Sequence, residues 1–134
     1  MPLATTSITQ TVQLPVKPVE VYDALVNPLK HAEFTGAAAT GDASPGGEFT
    51  AWDGYIHGTY LELERARRIV QHWSTAEWPE GYPPSRLEFH FALKNGGTEV
   101  TMVQTEVPVS QAAAYEKGWH DYYWKPLAEY FSRR

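Results

Sequence analysis

Between Ser110 and Phe131 the chain carries a stripe of large side chains that only a helix can use. Tyr115, Trp119, Tyr123, Leu127 and Tyr130 or Phe131 recur roughly every 3.6 residues. From Gly41 to about Val107 the apolar residues alternate with period two instead, the pattern of half-buried strands. One long amphipathic helix and one run of antiparallel strands can bury their apolar faces only against each other. The fold class that follows is α+β: a curved antiparallel sheet wrapped around a long C-terminal helix. Two residues interrupt the stripe. Gly118 weakens a helix by about 1 kcal/mol, and Pro126 removes an N–H, so a kink or break is expected near residues 122–126. Ser110 is expected to cap the helix.

The remaining elements follow from local signals. Ile8, Gln10, Val12 and Leu14 form one face of a first strand. Pro18 opens a short helix through Val21, Tyr22, Leu25 and Val26, and Asn27-Pro28 opens a second that Gly36 ends. Strands are then expected over Glu48–Trp52, Tyr55–Glu64 and Ile69–Thr75, with Asp53-Gly54 a tight turn. Leu87, Phe89, Phe91 and Leu93 define the buried face of the next strand, and Asn95-Gly96 turns the chain into the last one. The order is strand, two short helices, five or six strands, long helix. This is a helix-grip fold in one domain over residues 1–134, and its sheet and helix splay apart at one end, where a cavity is expected.

In Ile69–Gly81, Trp73 sits on a strand while Trp78-Pro79-Glu80-Gly81 leaves the sheet. Indoles carry large apolar area and an N–H that needs a partner, so two of them beside a Pro-Glu-Gly turn indicate a packed corner. Trp78 and Glu80 are expected to hold it, Glu80 through a cap or an ion pair.

The ordered set Phe34-Thr35-Gly36, Gly46-Gly47-Glu48-Phe49, Trp52-Asp53-Gly54-Tyr55-Ile56 with Gly58, Trp73, Trp78-Pro79-Glu80-Gly81, Gly97-Thr98-Glu99 and Gly118-Trp119 with Tyr122-Tyr123 resembles the C-terminal domain of the activators of the heat-shock-protein-90 ATPase, within the START-like, SRPBCC helix-grip superfamily. Those activators have a further N-terminal domain that takes a major part in engaging the chaperone. The resemblance is therefore to a stand-alone copy of their C-terminal domain. It implies a tendency to bind apolar small molecules between sheet and helix. It also implies two alternatives: a co-chaperone-like module that stimulates a heat-shock chaperone, and a cyclase- or hydrolase-type enzyme using the same cavity.

The chemistry on the chain favours the non-catalytic reading. Five histidines occur without metal-ligand spacing and without cysteine, so neither a metal nor another cofactor is expected. Nucleophile elbows and phosphate-binding loops are missing, and no catalytic residue is assigned. A formal charge of −5 argues against a nucleic-acid partner. The absence of cysteine, of a charged leader and of a long apolar run points to a cytoplasmic protein with no membrane partner, monomer or homodimer. Trp52, Tyr55, His57, Trp73, Phe89, Phe91, Trp119 and Tyr123 are the candidate cavity residues, with Tyr55 and His57 expected on one face of a strand. Ligand binding between sheet and helix calls for a closed-walled cavity of at least ~300 Å³, and a solid core with no such void would argue against it.

Overall fold

The computed structural model describes residues 3–133; Met1 and Pro2 of the uncharged N-terminus, and Arg134, lie outside the described residues. Strand β1 (Thr5–Leu14) is followed by helices α1 (Pro18–Val26) and α2 (Pro28–Thr35). Six strands come next: β2 (Thr40–Gly41), β3 (Glu48–Ala51), β4 (Ile56–Glu64), β5 (Arg68–Thr75), β6 (Ser85–Lys94) and β7 (Gly97–Pro108). The chain ends in α3 (Val109–Trp119), a π-helical turn at His120–Trp124, and α4 (Lys125–Ser132). All seven strands join one antiparallel sheet in the order β1-β7-β6-β5-β4-β3-β2. Successive strands β2 to β7 are a meander, and β1 closes the far edge against β7.

Local chemistry explains the joints. The Asn27 side chain caps α2 by accepting from the N–H groups of Leu29 and Lys30 at 3.0 and 3.1 Å. Gly36 then ends α2 in the left-handed conformation, φ 79°. Strand β3 ends one residue sooner than the alternation suggests, because Trp52 already has φ 52° and opens the turn through Asp53 and Gly54. Helix α3 begins at Val109, with Pro108 and not Ser110 at its cap position.

Register lines up the inner face. Ile69, Phe89, Met102 and Gln10 form one row across four strands, and Tyr60, Gln71, Leu87 and Gln104 form the next. Leu87, Val100, Met102 and Leu127 are wholly buried between this face and the C-terminal helices. Gly58 pairs with Phe49 in register, and a Cβ there would collide with the His72 carbonyl and the Phe49 ring. Leu93 departs from its expected buried face and is 70% exposed. Strand β6 runs beyond the cover of α1, whose Tyr22 meets Phe91 edge-on at 6.3 Å.

Three indole N–H bonds fix the frame. Trp119 Nε1 donates to Gln104 Oε1 at 2.9 Å, and Trp124 Nε1 donates to Gln10 Oε1 at 2.6 Å, tying the C-terminal helices to β7 and β1. Trp78 Nε1 donates to the Pro83 carbonyl at 3.0 Å, and its ring stacks on Tyr115. The corner after β5 is thus held by Trp78. Glu80 stands exposed, and among the described residues it makes none of the corner's hydrogen bonds or ion pairs.

Candidate functional site

The space between sheet and helix is divided in two. The inner part is a void of about 30 Å³ lined by His31, Tyr60, Gln71 and Phe89 among others, roughly room for one water. The outer part is an open groove of about 640 Å³ where α3 and the π-turn diverge from the β3–β4 turn and the end of β5. Trp73, Trp119 and Tyr123 line both and form the wall between them. A closed chamber of ~300 Å³ deep in the core is therefore replaced by a large open groove backed by a small void.

Each wall has a local origin. The left-handed residues Trp52 and Asp53 swing the Trp52 ring off β3 toward the helix, where it meets Tyr122 at 5.4 Å, edge to face. Tyr122 reaches it from the π-turn and is 56% exposed. On the other side Trp73 packs against Tyr115 and Trp119 at 5.3 and 5.4 Å. Ala114 and Gly118 leave space along the α3 side, and Glu77, Gln111, Lys117 and Asp121 supply the polar rim.

Two polar clusters sit on these walls. Beside the Trp78 corner, the Tyr115 hydroxyl lies 2.7 Å from Thr75 Oγ1 and donates to Gln111 Oε1 at 2.7 Å. Burial pushes Tyr115 up to about 12. Burial, then a hydrogen bond to Glu77, also raises Tyr55. Both phenols therefore stay protonated near neutrality and act as hydrogen-bonding groups. At the inner end, the Tyr123 hydroxyl lies 3.0 Å from His31 Nε2. Burial holds His31 neutral by lowering it to about 4, and raises Tyr123 far above its ordinary value.

Of the sequence candidates, Trp52, Tyr55, Trp73, Trp119 and Tyr123 meet at the groove. Phe89 lies deeper, at the inner void. Phe91 packs under α1 on Tyr22, away from both spaces. His57 points to the opposite face of the sheet, exposed, with Nδ1 3.4 Å from Ser74 Oγ. It does not share a face with Tyr55, because Tyr55 belongs to the turn and the strand's alternation begins only at Ile56. The candidate set left out His31, Tyr115 and Tyr122, although Tyr122 is among the aromatics that could line a pocket or fill a core. Tyr115 stood in the helical stripe and could have been taken; the inward turn of His31 depends on a partner 92 residues away. Among the described residues no three His, Asp or Glu side chains are grouped to hold a metal ion, and no helix is long and apolar enough to cross a membrane.

A curved seven-stranded sheet gripping a C-terminal helix, with an aromatic groove at the splayed end, defines a helix-grip domain of the START-like kind. Within that class the chain belongs to the family described as "Activator of Hsp90 ATPase homolog 1-like protein", whose model matches residues 15–132. It is 32% identical over 114 residues to the human activator of 90 kDa heat shock protein ATPase homolog 1, covering 85% of this chain and 33% of that protein. A Dictyostelium discoideum activator homolog is 32% identical over 103 residues, covering 76% of this chain and 27% of its own length. The chain spans about a third of the length of the curated relatives it matches. The crystal structure of an HSP90 activator from Plasmodium falciparum superposes with a TM-score of 0.87 at 20% identity, covering 94% of this chain and 96% of that one. A protein from Chromobacterium violaceum superposes at 0.70 with 26% identity, covering 92% and 94%.

Proposed function

We propose that this chain is a non-catalytic binding domain that seats a small apolar molecule in the groove between the sheet and the C-terminal helix. The observation that carries this reading is the groove itself: about 640 Å³, with Trp52, Tyr55, Trp73, Tyr115, Trp119 and Tyr122 on its walls. That volume lies within the range of small-molecule sites, and aromatic walls with a few polar groups are their usual lining. Titration with 1-aminoanthracene, a neutral fluorophore, tests it. Ala114 stands exposed at the lip of the groove, so Ala114→Trp fills the space without entering the core. Emission is expected to rise and saturate with the natural chain and to stay flat with A114W at an unchanged melting temperature. Equal enhancement by both proteins refutes the groove as the site.

A second reading is favoured by the relatives' names: a module that engages a heat-shock chaperone and raises its ATP turnover. Purified Hsp90 assayed with and without this chain tests it. Unchanged turnover with no heat of binding by calorimetry would remove that reading.

A further inference from the structure

At the end of the groove beside the Trp78 corner, Thr75 Oγ1, the Tyr55 and Tyr115 hydroxyls and the Glu77 carboxylate form one cluster. Its hydrogens can be followed. Tyr115 donates to Gln111 Oε1, so the hydrogen shared over 2.7 Å between Thr75 and Tyr115 comes from Thr75. Thr75 Oγ1 already accepts from the Glu77 N–H at 3.2 Å, and the Tyr55 hydroxyl is turned to the Glu77 carboxylate. The hydroxyl hydrogens are thus committed inside the cluster, and what it offers the groove is lone pairs and a carboxylate. Burial raises both phenols, and the negative charge of Glu77 raises them further, so its field reaches across this end of the groove. Glu77 stands exposed on the rim and, among the described residues, makes no ion pair.

Resting on the groove reading above, we infer that this end of the groove takes a cationic head, and that the ligand is a flat apolar molecule carrying an ammonium group. An ammonium brings hydrogens and no acceptor, the complement of a cluster that only accepts. The aromatic walls act in the same sense, because the face of an indole or phenol ring carries partial negative charge and attracts cations. Lys117 and Asp121 also line the groove, four residues apart, and offset each other in charge, which leaves Glu77 to set its sign. A formal charge of −5 on the whole chain favours the approach of a cation and opposes that of an anion. A ligand carboxylate would meet acceptors alone at this end.

Three probes with one naphthalene body test this on the full chain by calorimetry at pH 7: 2-naphthylmethylammonium, 2-naphthalenemethanol and 2-naphthoate. In low salt the ammonium is expected to bind about ten-fold tighter than the alcohol, from the aromatic faces and the carboxylate together. The gap should narrow as salt is raised. Glu77→Gln should bring the two affinities within about three-fold, the part that the aromatic faces supply, at an unchanged melting temperature. Glu80→Gln makes the same change of charge outside the groove lining and should leave the gap as it was. Equal affinities for ammonium and alcohol, a gap that E77Q does not reduce, or tightest binding of 2-naphthoate overturns the cation assignment and leaves groove binding standing. Binding of none of the three overturns both.

Discussion

Replacing Gln104 by leucine isolates the bond that joins the C-terminal helix to the sheet. The Gln104 side chain is wholly buried; its Oε1 accepts from Trp119 Nε1 at 2.9 Å and its Nε2 donates to Ser85 Oγ at 3.0 Å. Ser85 in turn donates to the Trp73 carbonyl at 2.7 Å. Leucine has similar bulk, so little cavity forms and the loss is polar. The stranded indole N–H costs about 1–3 kcal/mol, and Ser85 Oγ loses one of two bonds, about 1 kcal/mol more. The sum is roughly 2–4 kcal/mol. At about 2.1 cal/mol/K per residue, 134 residues give an unfolding entropy near 0.28 kcal/mol/K, so the melting temperature should fall by about 7–14 °C. Thermal melts of Q104L, W119F and the double variant measure that shift, and urea titration of the same proteins measures the free-energy loss. Because W119F removes the orphaned donor, the double variant should be less destabilised than the sum of the singles by about 1 kcal/mol or more. Strict additivity, or a loss in Q104L below about 0.5 kcal/mol, refutes the claim that this bond holds the helix.

Gly58→Ala places a Cβ against the His72 carbonyl and the Phe49 ring; a loss of roughly 3 kcal/mol or more is expected in urea titration, and a near-neutral result would mean that β3 can shift freely. Asn27→Ala removes the α2 cap and should cost about 1 kcal/mol in the same assay. His31 makes stability depend on pH. Its folded value of about 4 lies below the ordinary 6.5, so between those values the unfolded chain binds more protons and stability rises with pH. The stability lost as pH falls from 7 to 4 is on the order of 3 kcal/mol from this group, and His31→Leu should flatten that slope; an unchanged slope contradicts its burial as a neutral ring. Glu88 acts in a lower window: hydrogen bonding to Arg86 depresses it, so its contribution survives until pH falls through its own lowered value.

The frame was legible where the signal is local. Asn27-Pro28, Gly36 and Asp53-Gly54 act through backbone conformation and nearest-neighbour bonds, and they stand where the sequence puts them. The alternation of β6 was legible as far as Phe91 and failed at Leu93, because burial there depends on how far α1 reaches. The groove was partly legible for the same reason. Trp73, Trp119 and Tyr123 lie on regular stripes, so period alone aims them inward. Trp52 reaches the groove only because two consecutive residues turn left-handed, and Tyr122 only because the helix changes its pitch.

That change of pitch ties the fold to the groove. Pro126 has no N–H and its ring would crowd the carbonyl of Tyr122 in a regular helix. The wider turn at His120–Trp124, closed by the Lys125 N–H on the His120 carbonyl, relieves this. It has a second effect. Trp119 and Trp124 are five residues apart, and in an α-helix their directions would differ by about 140°. Both nonetheless face the sheet, where Gln104 and Gln10 receive their N–H groups. A turn bonded from i to i+5 brings such residues onto one side. The two indole–amide bonds and the proline therefore favour the same irregular turn from opposite directions, one by demanding it and the other by forbidding its alternative. Its by-product is the outward Tyr122 and the inward Tyr123, one on the mouth of the groove and one on its deepest wall.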